Sequence, residues 1–326
     1  MIPQDAPSDL VIIGLCTYRR TSVVAAQQSL ATLLPVPTAV CHIIVADNDE
    51  APEAQARVAE AAANHPLPVL YLHAPARNIS VARNAILMAA RAQGARYLTF
   101  LDDDEMVSSE WLSALVGRLR HGGCAAVLGP VRADYLPGAA PWMQRGRVHD
   151  TLPVIDRAGT ILSGYTCNVI LDLTAPSVAG LSFDPARGRS GGEDTAFFHA
   201  LREKGGVIAF AAEAMAKETV PRERARLTWL LKRRYRMGQT HGSLLTQGKG
   251  PWRRWIEMGR AAGKALICCG LAALRIGDPL GRNLALMRTA LHIGVVAALG
   301  GQQPMLIYGL EHAPVLQVRP NAKERA

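Results

Sequence analysis

Four consecutive acidic residues follow an apolar, β-favouring run, and their position suits them for chemistry. The run 97–101 leads into Asp102, Asp103, Asp104 and Glu105, which is typical of a buried strand that delivers carboxylates to one end of a sheet. Adjacent carboxylates repel each other unless a cation neutralises them. Because Mg²⁺ and Mn²⁺ prefer oxygen ligands and often bridge to substrate phosphates, this acidic run predicts a metal–diphosphate site. The alternative is that the acids cap the next helix, although Ser108 and Ser109 lie closer to its start and suit that role.

A second acidic pair, Glu193 and Asp194, follows a glycine-rich turn over residues 188–192. The pair starts a predicted helix that runs to about Lys204. Acidic residues at that place complement the helix dipole, which is sufficient reason for their presence. A carboxylate there is also a candidate general base, since it can deprotonate a hydroxyl group within hydrogen-bond reach. The residues alone leave both interpretations open.

Alternating strands and helices must position these acids. The pattern predicts strands at 10–16, 40–46, 69–73 and 97–101, with helices at 23–34, 52–63 and 79–92. Such alternation indicates right-handed βαβ units and a mostly parallel sheet, hence an α/β fold. Ligands of such sheets bind beyond the carboxyl ends of the strands. Three strands end in polar sets that should therefore share one crevice: Thr17 with Tyr18, Asp47 with Asn48, and the acidic run.

The sequence after the first strand limits the class of ligand. It contains no Gly-x-Gly-x-x-Gly or Gly-x-x-x-x-Gly-Lys-Ser/Thr motif, which disfavours a dinucleotide enzyme and a P-loop NTPase. A bound diphosphate must then be met by metal and by basic side chains. Arg77 and Arg83 are the candidates, with a solvated helix face as the alternative, because Arg matches phosphate geometry and Arg83 lies near the N-terminal end of its helix. Further strands are predicted at 125–131 and 164–171, separated by a long excursion at 134–160.

The positive charge is concentrated in one segment. The chain has a net charge of +9, and residues 217–260 hold 12 Lys or Arg against 3 Glu, which accounts for the whole excess. Such a segment fits nucleic acid, an anionic membrane surface or a phosphorylated substrate. A basic helix is predicted at 227–245, followed by apolar stretches at 261–274 and 284–299. Basic residues interleaved with Trp252 and Trp255 favour in-plane membrane attachment, and a helical subdomain packed on the sheet is the alternative. Nucleic acid is disfavoured, because the sequence has no aromatic–basic platform.

Cysteine usage and the N-terminus indicate the compartment. Six cysteines are scattered without a Cys-x-x-Cys pair, which is typical of free thiols in a reducing environment. Residues 1–9 hold no basic region before an apolar stretch, so no secretory signal is expected. We therefore expect a cytoplasmic protein.

As a set, the motifs of this chain resemble those of the inverting glycosyltransferases of family 2, which have the GT-A fold. Within the family they are most similar to enzymes of bacterial exopolysaccharide assembly. The resemblance spans about residues 10–300, and its segments are 16–20, 45–49, 78–84, 100–105, 126–133, 164–168, 190–195 and 232–242.

The resemblance implies a UDP-sugar donor and assigns the site residues. Thr17 and Tyr18 would line the nucleotide pocket, Asp47 would accept a hydrogen bond from the uracil ring, and Asp102 would hold the ribose or the sugar. Further donor contacts are implied for Asn48, Arg83 and Asp103. Asp104, together with Asp102, would hold Mn²⁺ or Mg²⁺, which stabilises the departing diphosphate as a Lewis acid. Asp194 would activate the acceptor hydroxyl with support from Glu193, and attack opposite the leaving UDP would invert the linkage.

One position departs from the family pattern. Related enzymes usually carry a His just before a Glu, often as a further metal ligand, whereas this chain has Lys217 before Glu218. An ammonium group cannot ligate a metal, but it can pair with a diphosphate. We therefore expect either that Lys217 binds the donor diphosphate and partly replaces the charge of the metal, or that metal binding is weakened.

The resemblance also implies an acceptor and a domain organisation. The acceptor would be an undecaprenyl-diphosphate-linked oligosaccharide at the inner leaflet, which adds peripheral association with the inner membrane to the cytoplasmic location. The Gln-x-x-Arg-Trp motif of processive relatives is not reproduced near Tyr235, so transfer of a single sugar is expected. The resemblance implies that this sugar is glucose. The predicted domains are a GT-A domain at 1–220, with a nucleotide-binding half (1–132) and an acceptor and base half (133–220), and a helical membrane-associating region at 221–326. Two other interpretations stay open: a metal-dependent nucleotidyltransferase, and a non-catalytic membrane-associated polysaccharide assembly protein.

Overall fold

The computed structural model describes residues 9–245 and 250–306. The expectations for residues 1–8 and 307–326, which concern a leader and the end of the C-terminal region, lie outside the described residues. The strands are β1 (Asp9–Thr17), β2 (Ala39–Asp47), β3 (Val69–His73), β4 (Tyr97–Asp102), β5 (Glu105–Val107), β6 (Ala126–Leu128), β7 (Val131–Tyr135), β8 (Val154–Ile155), β9 (Ile161–Ser163), β10 (Asn168–Asp172), β11 (Ile208–Phe210) and β12 (Ala216–Val220). The helices are α1 (Val23–Leu30), α2 (Gln55–Ala62), α3 (Ile79–Ala92), α4 (Trp111–His121), α5 (Pro141–Gly146), α6 (Glu193–Glu203), α7 (Leu227–Leu245), α8 (Pro251–Leu274) and α9 (Pro279–Leu299).

A seven-stranded sheet of order β11-β6-β10-β4-β1-β2-β3 forms the centre of the protein. Neighbouring strands are parallel except for β10, which runs antiparallel to β4 and β6. The predicted α/β fold with a mostly parallel sheet is thus confirmed. Because parallel strands end at the same edge, β1, β2 and β4 deliver their last residues side by side: Cys16 pairs with Asp102, and Thr17 pairs with Asp47.

Two apolar layers cover the sheet, because the side chains of a strand alternate between its faces. Val11, Ile13 and Leu15 of β1 pack on one side with α1 and α4, where Trp111 is fully buried. Ile12 packs on the other side with α3 and α6. This layered core holds the strand ends in fixed positions, which is what a site at the sheet edge requires.

Two predicted strands are interrupted in the structure. The stretch 125–131 is divided into β6 and β7, because Pro130 has no N–H to donate to a ladder. Its carbonyl instead accepts hydrogen bonds from Ala216 N (2.9 Å) and Asn168 Nδ2 (3.0 Å). β7 therefore leaves the central sheet and joins a three-stranded sheet of order β5-β12-β7. The other stretch, 164–171, becomes a strand only at β10, which follows a β8–β9 hairpin.

Helix ends agree with the sequence pattern where packing and capping coincide. α3 and α7 have the predicted limits, and Asn78 caps α3 by accepting a hydrogen bond from Ser80 N (3.0 Å). The predicted serine caps of α4 are wrong, since its N-cap is Glu110 and no side chain caps it. The carbonyl of Ser109 instead accepts a hydrogen bond from Leu34 N (3.0 Å), which ties this turn to the segment that follows α1. α1 and α2 are shorter than expected.

Helices α7, α8 and α9 follow the sheet and pack on one another. α9 contacts both α7 and α8. α7 and α9 also pack against α5 through an apolar cluster that includes Trp142, Leu230 and Met287. This part of the basic region is therefore a packed helical layer. Within residues 9–245 and 250–306, no helix is both long and apolar enough to cross a membrane.

Candidate active site

The ends of β1, β2 and β4 bring the predicted polar sets to one crevice. Thr17 is buried, and its hydroxyl donates a 2.7 Å hydrogen bond to Asp103 Oδ2. Asn48 N donates to the carbonyl of Thr17 (2.9 Å), which ties the loop after β2 to the end of β1. The acidic run thus lies beside the two other strand ends, as the alternation of strands and helices predicted.

The four acids of the run have different environments. Asp103 and Glu105 are buried. Burial raises the pKa of Asp103 to about 6, while the nearby Arg20 guanidinium opposes that rise. Burial also raises the pKa of Glu105, whose Oε2 accepts a hydrogen bond from Asp102 N (3.2 Å). The side chains of Asp102 and Asp104 are 45% and 21% exposed, so these two carboxylates are the ones a ligand can reach.

Two arginines hold Asp104. Nη1 of Arg20 lies 2.7 Å from Asp104 Oδ2 and 2.9 Å from Asp103 Oδ1. Nη1 of Arg224 lies 3.6 Å from the same oxygen of Asp104 and 2.5 Å from Glu218 Oε1. Asp104 is therefore the centre of an alternating network of acids and arginines.

Sequence reasoning assigned no role to Arg20, Arg224 or Glu218. Arg20 stands in the motif 16–20 directly after β1, so its position beyond a strand end was a usable signal. Arg224 is one basic residue among many in its segment. Glu218 reaches the site only because β12 pairs with β5, which places Glu218 opposite Glu105.

Lys217 does not reach this network. It is exposed and pairs with the exposed Met106, whereas the next residue, Glu218, bonds Arg224. Since successive side chains of a strand point to opposite faces, Lys217 lies on the far side of β12 from Asp104. This placement does not support the predicted role of Lys217 in binding diphosphate or replacing metal charge. Glu218, and not Lys217, contacts the arginine network around Asp104.

This difference between neighbours gives a testable prediction. We expect Lys217→Ala to leave kcat/KM for the donor within about twofold of the normal value. Glu218→Gln should lower kcat/KM for the donor by about tenfold to a hundredfold, the equivalent of one hydrogen bond to a charged group. Initial rates over a donor titration measure both. Equal losses in the two variants would contradict the placement of β12.

Arg83 joins the acidic run to the start of α6. Its buried guanidinium pairs with Glu193 Oε1 through Nη1, and its Nη2 lies 3.9 Å from Asp102 Oδ1. Burial raises the pKa of Glu193, while Arg83 opposes that rise. Glu193 Oε2 is buried and makes no hydrogen bond with any described residue. Glu193 is thus held by Arg83, and the predicted contact of Arg83 with the donor stays a prediction.

A buried charge pair of this kind predicts a large effect on stability. Arg83→Met should lower the free energy of unfolding by about 3–5 kcal/mol, because Glu193 would be left buried and uncompensated. Arg77→Met is a matched control: Arg77 pairs with the exposed Glu50, so a loss below about 1 kcal/mol is expected. Urea denaturation measures both. Recovery of part of the loss in the double variant Arg83→Met with Glu193→Gln would confirm the cause, and a loss below 1 kcal/mol for Arg83→Met would contradict it.

Asp194 lies in the first turn of α6, directly after Glu193, which Arg83 links to Asp102. It is partly exposed, and its Oδ1 accepts a 2.6 Å hydrogen bond from Thr195 N. It is close enough to the acidic run that, after burial, its negative charge contributes to the raised pKa of Asp102. Gly192 precedes the helix with φ +92°, and a Cβ there would lie 2.3 Å from Thr240 Cγ2 of α7. Glycine therefore lets α7 pack directly against the turn that carries Asp194.

The nucleotide-binding candidates differ in whether their polar atoms already have hydrogen-bond partners in the protein. Asp47 is fully buried and accepts hydrogen bonds from Asp49 N, Ala54 N and Tyr71 Oη. Asn48 Oδ1 accepts from Asn78 N (3.2 Å). Both residues therefore shape the loops around the crevice, and contact of Asp47 with uracil stays a prediction. The hydroxyl of Tyr18 is buried and finds no hydrogen-bond partner among the described residues, so its predicted role in the nucleotide pocket stays a prediction.

The accessible carboxylates fit a cation site whose remaining ligands would come from the substrate. Within the described part of the chain, no group of three or more His, Cys, Asp or Glu side chains is arranged to hold a metal ion. Asp102 and Asp104 supply two accessible carboxylates. Mg²⁺ and similar hard cations are commonly bound through one or two carboxylates together with substrate phosphates. The residues therefore fit a cation that arrives with a diphosphate, and they do not form a complete protein cage.

Comparisons with known proteins identify the family and the fold of this chain. Residues 13–171 match the model of the family described as Glycosyl transferase family 2. The succinoglycan biosynthesis protein ExoM of Rhizobium meliloti (strain 1021) is 44% identical over 91% of this chain and 95% of its own length. The fold resembles that of a Pyrobaculum calidifontis mannosyltransferase solved with GDP-Man and Mn²⁺ (TM-score 0.60, 16% identity, 91% and 90% of the two chains covered). It also resembles residues 1–349 of S. aureus TarS with UDP-GlcNAc (TM-score 0.51, 12% identity, 90% and 92% covered).

Fold and site together define a GT-A glycosyltransferase, with an acidic run at the end of a parallel sheet and a second acidic pair at the start of a helix. The chain belongs to glycosyltransferase family 2.

Proposed function

We propose that this protein transfers one sugar from a UDP-sugar to a lipid-linked oligosaccharide, with inversion, during assembly of an exopolysaccharide of the succinoglycan type. The observation that carries the proposal is the position of Asp194 at the same crevice as Asp102 and Asp104. A general base and a diphosphate-binding edge in one crevice are what direct transfer needs. The biosynthetic role is supported by the 44% identical relative, whose name places it in succinoglycan biosynthesis. UDP-glucose is the donor we propose, and an undecaprenyl-diphosphate-linked oligosaccharide is the acceptor.

The proposed reaction forms one bond and breaks one bond. The acceptor hydroxyl oxygen attacks the anomeric carbon, the bond from that carbon to the diphosphate oxygen breaks, and its electron pair leaves with UDP. The hydroxyl proton passes to the carboxylate of Asp194. Asp194 lies in the first turn of α6, where the helix N-terminus contributes partial positive charge beside the carboxylate.

Other residues hold the reacting groups in place. Arg83 fixes Glu193, which precedes the base in α6, and so ties the base to the acidic run. Arg20 and Arg224 orient Asp104 and bring positive charge to the diphosphate edge. Asp102 and Asp104 are the residues that would hold Mn²⁺ or Mg²⁺. When bound, such a cation would neutralise the negative charge that develops on the leaving diphosphate.

The cellular context and domain organisation follow from the same proposal. A polyprenyl-linked acceptor requires work at the cytoplasmic face of the inner membrane, so we propose peripheral association there. The boundary proposed between the transferase domain and the helical region at 220/221 falls between β12 and α7.

A panel assay tests the proposed activity. The protein is incubated with UDP-glucose, UDP-galactose, UDP-GlcNAc and GDP-mannose in the presence of Mn²⁺ or Mg²⁺ and a lipid-linked acceptor, and free nucleotide and product mass are measured. We expect UDP release and a mass gain of one hexose. A nucleotidyltransferase would release no UDP from this panel; it would form pyrophosphate only from added UTP and glucose 1-phosphate, and it would not depend on Asp194. A non-catalytic assembly protein would give neither product.

A further inference from the structure

The outer face of α8 is apolar and exposed. Its large side chains are 64% to 84% exposed, namely Trp252, Trp255, Leu266, Ile267 and Leu274. A soluble surface helix normally turns such residues toward the core and presents polar groups to water. Contiguous exposed apolar surface of this kind marks an interaction site.

These residues share one side of the helix. Trp252, Trp255, Leu266, Ile267 and Leu274 recur at helical spacing, together with the glycines at 259, 263 and 270 that lie between them on the same side. The opposite side of α8 carries the buried alanines Ala261, Ala265 and Ala272. These small residues allow close packing on α9. The large apolar residues therefore point away from the protein, because the opposite side of α8 already packs on α9.

Basic residues border this apolar face on one flank. Arg253, Arg260 and Lys264 are exposed, and their spacing places them together beside the apolar residues. Arg260 also pairs with Glu257 at 2.9 Å. A partner that covers the face must be apolar at its centre and negatively charged at its border. Tryptophan suits such a boundary, because its ring is apolar and its N–H is polar.

We propose that the outer face of α8, defined by Trp252, Trp255, Leu266, Ile267 and Leu274, lies in the plane of an anionic bilayer leaflet. The apolar side chains would enter the boundary between headgroups and acyl chains, and Arg253, Arg260 and Lys264 would contact anionic headgroups. A second copy of this chain fits less well, because a protein of net charge +9 would bring its own cations to that border. This docking rests on the proposed function in one respect: a protein bound to the leaflet can reach an acceptor whose lipid is anchored in it.

The packing of the helices links this face to the site. α8 packs on α9, α9 packs on α7, and Thr240 of α7 lies against Gly192, next to Glu193 and Asp194. Arg187 of the same turn donates a 3.2 Å hydrogen bond to Ser243 of α7. Docking of α8 would therefore set the position of the base relative to the leaflet.

Vesicle binding by the full chain, without substrates, tests the proposal. We expect the protein to co-sediment with phosphatidylcholine–phosphatidylglycerol vesicles at low ionic strength, with a blue shift of tryptophan emission that Trp252→Phe with Trp255→Phe removes. The triple variant Trp255→Ser, Leu266→Ser, Leu274→Ser should lose at least tenfold in partition. A control with two exposed apolar residues elsewhere, Met88→Ser with Val207→Ser, should bind like the unchanged protein.

Charge variants separate the two parts of the interaction. Arg253→Gln with Lys264→Gln should weaken binding to anionic vesicles by about fivefold per charge removed, with little effect on pure phosphatidylcholine vesicles. Equal binding of the triple variant and the unchanged protein would overturn the proposal. So would a dimer in sedimentation equilibrium that the triple variant dissociates while vesicle binding is absent. UDP release with a water-soluble acceptor is measured in parallel, so loss of vesicle binding with activity retained distinguishes this surface from the transfer function.

Discussion

Replacing Asp194 by Asn should lower the rate of sugar transfer by about 10²–10⁴-fold, the range that a positioned general base contributes. Asn keeps the shape of the side chain and its oxygen can still accept the hydrogen bond from Thr195 N, so the start of α6 should be retained. What is lost is the ability to take the acceptor proton. Single-turnover rates with saturating donor isolate this step, and donor affinity measured by calorimetry should stay within a few fold.

The same helix offers a matched control for Asp194. Glu203 lies at the other end of α6, is exposed, and pairs with His199 at 3.4 Å. Glu203→Gln removes one negative charge from the same element and should leave the rate unchanged. Transfer by Asp194→Asn at more than about a tenth of the normal rate would exclude Asp194 as the base.

Replacing Asp104 by Asn should produce the second largest loss, about 10²–10³-fold in kcat/KM for the donor, which is the usual effect of removing one electrostatic group from a site where charge develops. Asp104 is accessible, holds Arg20 and Arg224, and is a proposed cation ligand. Loss of this carboxylate should release Arg20 and Arg224 from their present positions. It should also raise the Mn²⁺ or Mg²⁺ concentration that is needed for the half-maximal rate. Initial rates over crossed donor and metal titrations measure the two effects.

Two further variants separate these roles of Asp104. Arg224→Gln removes one arginine partner and keeps the carboxylate, so the rate should fall while the metal requirement stays unchanged. Asp134→Asn removes an exposed acid from β7 and should behave like the unchanged protein. If Asp104→Asn leaves the metal requirement unaltered, Asp104 acts through its arginines alone and is not a cation ligand.

Much of the fold could be predicted from local pattern because each element carries its own signal. α3 begins at an Asn cap and ends where its apolar periodicity ends, and α7 has the predicted limits for the same reason. The strands β1, β2 and β4 are continuous apolar runs that end in polar residues, which is the pattern of a parallel sheet buried on both faces. Their common edge then follows from the rule for parallel strands.

Long-range pairing decided the features that were missed. Pro130 ends β6, but the course of β7 is set by its pairing with β12, more than eighty residues away in the chain. The same pairing chooses which face of β12 meets the acidic run. Because side chains alternate along a strand, a shift of one residue would exchange Lys217 and Glu218. The register of β12 against its neighbouring strands cannot be predicted from the local sequence.

The residues of this chain by themselves determined an α/β sheet whose strand ends gather Thr17, Asp103 and the other polar sets in one crevice, since the positions and burial of the strands follow from the hydrophobic pattern. The tertiary structure decided which groups charge that crevice: Arg20 and Arg224 around Asp104, Glu218 in place of Lys217, and Arg83 paired with Glu193. These contacts join positions far apart in sequence, and their geometry depends on strand register and helix packing. The outer face of α8 depends on both levels. The sequence sets the helical spacing of its apolar residues, and the packing of α9 on the opposite side leaves them exposed.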